Sequence, residues 1–193
     1  MKTFRRTVMG LFLALLVIGF GTQTTEAADF EGGQTFTLPA GETINDDLYV
    51  SAGAVLIEGN INGDLFAGSN EVTITGDING NLFVGGGDIT IDSNVSGDIF
   101  AAGAIINFNG SADDVRVAGG QVYVDGAVNG DLMVAAGTIE VDGNVGGDMF
   151  AATETLEFGE SAKVGGKLSY TTPEPLSDAG RVASSSEHFQ AET

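Results

Sequence analysis

"NGDLFAGSNEVTITGDI", residues 62–78, runs straight into "NGNLFVGGGDITIDSNV", residues 79–95. The second stretch repeats the first in its apolar positions and in two of its three glycines. Self-similarity at a short fixed period is the mark of a stacked architecture, in which one unit cannot bury a core alone. Aligning on the acid of "GD" extends the repeat both ways, to Asp47, Asp64, Asn81, Asp98, Asp114, Asp131 and Asp148, in steps of 17 with a single step of 16.

Five apolar columns follow that acid. One residue on stand Leu48, Leu65, Leu82, Ile99, Val115, Leu132 and Met149. Three on, the column runs from Val50 to Ala151; eight on, from Val55 to Leu156; ten on, from Ile57 to Phe158; fourteen on, from Ile61 to Ala162. Apolar residues two apart describe strands whose alternate side chains face one interior. Two such pairs and a lone apolar residue make three short strands per unit, with Gly, Asn, Asp or Ser between them. Stacked in parallel at ~4.8 Å per rung, the copies enclose one aliphatic core. The expected fold is all-β: a single-domain parallel β-helix (β-solenoid) of seven to nine rungs. The glycine column Gly59, Gly76, Gly110, Gly126 and Gly143 marks a corner, where a positive φ is the expected reason for glycine.

The flanks divide the chain further. Lys2, Arg5 and Arg6 precede the apolar run "VMGLFLALLVIGF", and Thr25 and Ala27 are placed for cleavage before Ala28. Residues 1–27 therefore read as a signal peptide, or an N-terminal membrane anchor, and the expected location is extracytoplasmic. Residues 28–44 read as a partial rung or cap, 45–170 as the repeat domain, and 171–193 as a flexible polar tail. Cysteine is absent, which excludes disulfides and thiolate chemistry. Removing residues 1–27 takes a net +2 from a chain of −20 and leaves −22. Such a surface repels nucleic acid and anionic lipid.

The cadence of "GNINGDLF" (59–66), "GAVNGDLMV" (126–134) and "GNVGGDMF" (143–150) resembles the bactofilins, polymer-forming cytoskeletal proteins, over roughly Phe36 to Tyr170. That resemblance implies a right-handed, three-sided β-helix that polymerises end to end without nucleotide and positions envelope-building machinery. Typical bactofilins lack a secretory signal and work on the cytoplasmic face; the signal here favours a scaffold outside the membrane.

Catalysis finds no foothold in the pattern. The single histidine, His188, lies in the tail and reads as solvated. Acid pairs recur with the fold and mark no singular site. No catalytic residue and no cofactor are expected, so the chain reads as a non-enzyme. A flat threonine array of the ice-binding kind fails, because Thr73 and Thr90 give way to Asn107, Tyr123 and Glu140.

Three features carry the functional expectations. The ladder Asp47, Asp64, Asp98, Asp114, Asp131 and Asp148 caps corners by accepting backbone N–H groups, with a row of calcium sites as the sharper alternative. Asn81 in that ladder suits the cap, since an amide keeps the acceptor oxygen. Tyr49, Phe66, Phe83, Phe100 and Phe150, interrupted by Arg116 and Met133, point outward, either as a stripe that the N-terminal segment or the C-terminal tail lies across or as a lateral docking stripe for another filament, a membrane or an envelope protein. Leu168, Lys163 and Lys167 lie in the expected terminal rung and read as the self-assembly end of a homopolymer. The rival expectation is a monomeric surface adhesin or stalk.

Overall fold

A computed structural model describes residues 31–177 and 182–190. The expected signal or anchor at 1–27 lies outside the described residues. The chain winds into a parallel β-solenoid of about nine turns. Its first half-turn is β1 (Glu31–Leu38), then β2 (Thr43–Ile44) and β3 (Leu48–Ile57). The central turns are β4 (Asn60–Ile61), β5 (Leu65–Ile74), β6 (Leu82–Ile91), β7 (Ile99–Phe108), β8 (Ser111–Ala112), β9 (Val115–Val124), β10 (Ala127–Val128), β11 (Leu132–Val141), β12 (Asn144–Val145) and β13 (Met149–Phe158). The end is β14 (Lys163–Thr172) and β15 (Ala183–Gln190).

Register follows the columns. Leu48 pairs with Leu65, Leu65 with Leu82 and Leu82 with Ile99, all in parallel. Every residue of the five columns is buried except Phe158, which is half-buried. Each aliphatic side chain therefore rests on its own copy in the next turn, and the interior is dry because each rung covers the next. The 16-residue step falls between Ala112 and Asp114, where one residue, Asp113, replaces the usual Asn–Gly. The Asp113 N–H bonds the Gly97 carbonyl and so takes the glycine's place.

Strand boundaries differ from the expected three short pieces. The first two faces run through as one ten-residue strand, because pairing to the next turn continues around the bend. Only the residue at the bend drops out: Ser69 pairs with Gly86 and Glu71 with Asp88, leaving Asn70 unpaired in the register.

The reason for the corner glycines also needs correcting. Among the described residues Gly41 is the only glycine with positive φ, at 86°. The column from Gly59 to Gly143 is glycine because adjacent turns touch there. A Cβ on Gly76 would stand 1.9 Å from the Gly59 carbonyl oxygen, and one on Gly110 would stand 1.8 Å from that of Ser93. Backbone contact between rungs, not φ, selects the residue.

The C-terminal end departs furthest from expectation. Two extra residues enter after β13, so Val145 pairs with Val164, and Ala162 is buried in the turn instead of continuing its column. The part of the expected tail at 183–190 forms β15, which pairs in parallel with β14 across a register shift between Val164 and Lys167. Between them, Thr172–Ser177 crosses beside the second half of β13, over a cleft of about 780 Å³.

Candidate functional site

The outward face of each turn's first half carries the aromatic stripe. Its strand alternates buried, outward, buried through Leu65, Phe66 and Ala67, which fixes the ring column on the surface. Ring centroids lie 4.5 Å apart for Tyr49–Phe66, 4.6 Å for Phe66–Phe83 and 5.0 Å for Phe83–Phe100, with planes within 3° to 5° of parallel. The stack follows directly from rung spacing, since identical residues one turn apart sit at the strand separation. Its faces are closed by neighbouring rings, and the Phe100 face is covered by the Arg116 guanidinium, 5.2 Å from the ring centroid. From Phe66 to Phe100 the rings therefore present their edges outward, and the stack forms an apolar ridge.

Beyond Phe100 the ridge continues as Arg116, Met133 and Phe150, the last two well exposed. Two residues along each strand runs a parallel column of small residues: Ser51, Gly68, Gly85, Ala102, Ala118, Ala135 and Ala152. Ridge and small column enclose two shallow hollows of about 440 and 420 Å³, lined by Tyr49, Phe66, Gly68, Phe83 and Gly85, and by Phe100, Ala102, Arg116, Ala118, Met133 and Ala135. From Tyr49 to Ala152 no acid stands in either column. On a chain of −20 this is a singular surface.

The acid ladder borders that face and is built from the same stacking. Asp47 Oδ1 accepts the Asp64 N–H at 2.8 Å, and Asp64 Oδ1 accepts the Asn81 N–H at 2.8 Å. Asn81 continues the chain of bonds to Asp98 at 3.0 Å, and Asp98 to Asp114 at 3.4 Å. Asp114, Asp131 and Asp148 accept from Asp131, Asp148 and Lys167, each at 2.8 Å. Each ladder side chain thus caps the turn after its own, and an amide serves as well as a carboxylate. Among the described residues no three His, Asp or Glu side chains converge as a metal-binding group.

Arg116 ties two ladder acids together, Nη1 to Asp98 Oδ2 at 3.0 Å and Nη2 to Asp114 Oδ2 at 2.9 Å. The Asp114 carboxyl is held below its ordinary range, first by the Asp131 N–H; partial burial opposes this, and Arg116 reinforces it. The Arg116 guanidinium is pushed up, first by its bond to Asp98, against some desolvation, with Asp114 adding to it. Sequence reading saw Arg116 only as a break in the stripe. Its position two residues past Asp114, and so on the same side of the strand as that acid, was the available signal.

The expected self-assembly residues do not form an open edge. Leu168 is fully buried, and its strand is covered by β15, with Leu168 opposite Ser186. Lys167 occupies the ladder column and pairs through Nζ with Glu187. Lys163 is exposed beside Asn144 at the start of β14. His188, expected in solvent, is half-buried against the Tyr170 ring at 5.0 Å, its Nε2 3.0 Å from the Thr172 carbonyl. The physical reason is common to Leu168, Lys167 and His188: eight residues of tail supply backbone groups that satisfy the edge of β14. Comparison with protein-family models, with curated proteins and with solved structures finds no match to the chain.

Proposed function

We propose that this chain is a structural, self-associating scaffold of the cell envelope, bactofilin-like, whose rods join end to end outside the cytoplasmic membrane without nucleotide. One observation supports this reading most. Among the described residues β1 pairs only with β3, so its other edge is a free parallel template at the rod's N-terminal end, with Phe36 and Leu38 on its inward side. Such an edge pairs with another chain unless something covers it. The opposite end presents β15, and the partner of the β1 edge is that end of a second copy. No nucleotide enters this scheme, since strand pairing and apolar contact supply the joint.

A second reading, a monomeric stalk or adhesin, draws on β15 itself. That strand closes the C-terminal end with Ser186 and His188 where the turns up to β13 carry aliphatic residues, as a stopper would.

Electron microscopy of the purified chain at matched concentration, in low and moderate salt, separates the two. The scaffold reading expects filaments that lengthen as salt screens the acidic rods. Phe36→Lys, which alters only the first half-turn, should shorten them while the bulk of the rod melts as before. Single rods under every condition would overturn the scaffold and leave the stalk.

A further inference from the structure

We infer that the ridged face is a lateral interface between two copies of this chain, lying side by side and parallel with their turns in register. This concerns a surface separate from the rod ends and stands whether or not the ends join.

The first argument is shape. A two-fold interface needs a patch that complements itself. The face has an aromatic ridge and, two residues along each strand, a column of small residues, both with one member per turn. A two-fold axis along the rod places the ridge of one copy over the small column of the other, turn for turn: Phe66 over Gly68, Phe83 over Gly85, Phe100 over Ala102. The two glycines of that column differ from those of the corner column, where a Cβ would strike the neighbouring turn. A Cβ on Gly85 would meet nothing within 4 Å, and one on Gly68 only the Ser51 hydroxyl at 3.9 Å. The rod's own packing does not require glycine at either place, whereas an incoming ring does.

The second argument is charge. On a chain of −20, this face holds no acid between Tyr49 and Ala152, and Arg116 is already matched by its own Asp98 and Asp114. Two copies meeting elsewhere bring like charge together. The arrangement is decided the same way. A two-fold axis across the rods would set ridge on ridge and acid ladder against acid ladder. The axis along the rods sets each ladder against the partner's bend border, where Ala52, Ser69, Gly86, Gly103, Gly119 and Ala136 stand. Parallel pairing is the one that avoids repulsion.

The third argument is size. Seven turns at ~4.8 Å and four strand positions at ~3.3 Å give, with side-chain relief, roughly 600 Å² per copy. About 1,200 Å² for the pair is the lower end of specific interfaces. A dimer of moderate affinity follows, strengthened by salt as the rods' mutual repulsion is screened.

The test uses sedimentation equilibrium of the full chain together with Ala102→Glu. Ala102 faces solvent in the single rod, so this variant should melt like the wild type yet lose at least tenfold in pairing. The chain has no cysteine, so introduced ones report cleanly. Phe100→Cys mixed with Ala102→Cys should oxidise to a cross-linked pair far faster than Phe100→Cys alone. A pair that resists Ala102→Glu, or a single-copy species at every salt and concentration, would overturn the inference. So would faster self-linking of Phe100→Cys, which marks ridge on ridge. Flotation of unpaired chain with phosphatidylcholine vesicles would assign the face to lipid instead. End-to-end filaments that keep single width in the wild type would refute the lateral pair without touching the end joint.

Discussion

The turns built on β5 and β6 and the turn closed by β15 are both paired in parallel and have very different interiors. In the first, Leu65, Ala67, Val72 and Ile74 sit under Leu82, Val84, Ile89 and Ile91, all buried. In the last, Leu168 faces Ser186 and Tyr170 faces His188, and of the β15 side chains only Ala183 is buried. Parallel hydrogen bonds are therefore available to any chain laid along an edge. What holds a turn in place is the aliphatic column beneath it, because the net worth of a backbone bond exchanged against water is small while the dry column contributes at every position. The central rod is fixed by its core; the last turn is held by a few polar contacts and the buried Val182 and Ala183.

The sharpest break of that contrast is a charge placed in each environment. Ile74→Asp buries a carboxylate between identical aliphatic turns and should cost about 4 kcal/mol or more. Thr73→Asp, one residue along and outward, should cost less than about 1 kcal/mol. Thermal melting of the two variants checks the assignment, and equal losses would mean that inward and outward columns are misassigned.

Next in size is the last turn itself. Val182→Glu should detach β15 at a local cost of ~2 kcal/mol. Hydrogen exchange should then accelerate at β14 amides while β7 stays protected. Loss of protection along the whole rod would show that the end turn and the central turns form one cooperative unit.

This contrast also explains what the sequence made legible. The five columns, their register and the outward stripe followed from periodicity, because side chains alternate strictly along a strand. β15 was illegible for the same reason: "ASSSEHFQ" repeats nothing, and pairing through backbone groups leaves no trace in side-chain pattern. Val164 displaced Ala162 from its column because two inserted residues can be absorbed anywhere in "GESAKVGG", and both alternatives are small and apolar. The corner glycines were legible as a column, but their cause was not. Contact between turns depends on rung spacing, which composition does not encode. In the ladder, the capping role was legible from Asn81, whereas the recipient N–H lies a full turn away and required the fold.

A smaller effect sits inside the central turns, at the one place where they resemble the end. Ser93 replaces glycine in the corner column, is 2% exposed, and its hydroxyl has no hydrogen-bond partner among the described residues. An unpaired buried hydroxyl costs ~1–3 kcal/mol, and glycine's extra chain entropy returns part of any gain. Ser93→Gly should therefore raise stability by about 1 kcal/mol, read as a higher denaturation midpoint at unchanged slope. A lower midpoint would mean that the serine Cβ fills space the neighbouring turns need.

The smallest effect concerns the ladder, where central turns differ from the end by charge alone. Asp114 has its pKa lowered on folding, by the Asp131 N–H first and by Arg116 as well. A lowered folded value means that its contribution is complete above the unfolded value of about 3.9 and disappears as pH falls through the folded one. Asp114→Asn keeps an oxygen for the Asp131 N–H and gives up the charge that Arg116 matches. The group is half-buried at the surface and still in reach of solvent screening, so the loss at neutral pH should be smaller than the Ser93 effect and weaker in high salt. Melting temperatures of wild type and variant should differ modestly at pH 7 and converge as pH drops below the carboxylate range. A gap that widens on acidification would reverse the sign and imply that relief of repulsion from Asp98 and Asp131 outweighs the bond to Arg116. The ladder would then be a strained row of like charges held by the core, as β15 is held by its edge, and not a row of caps that adds to the rod.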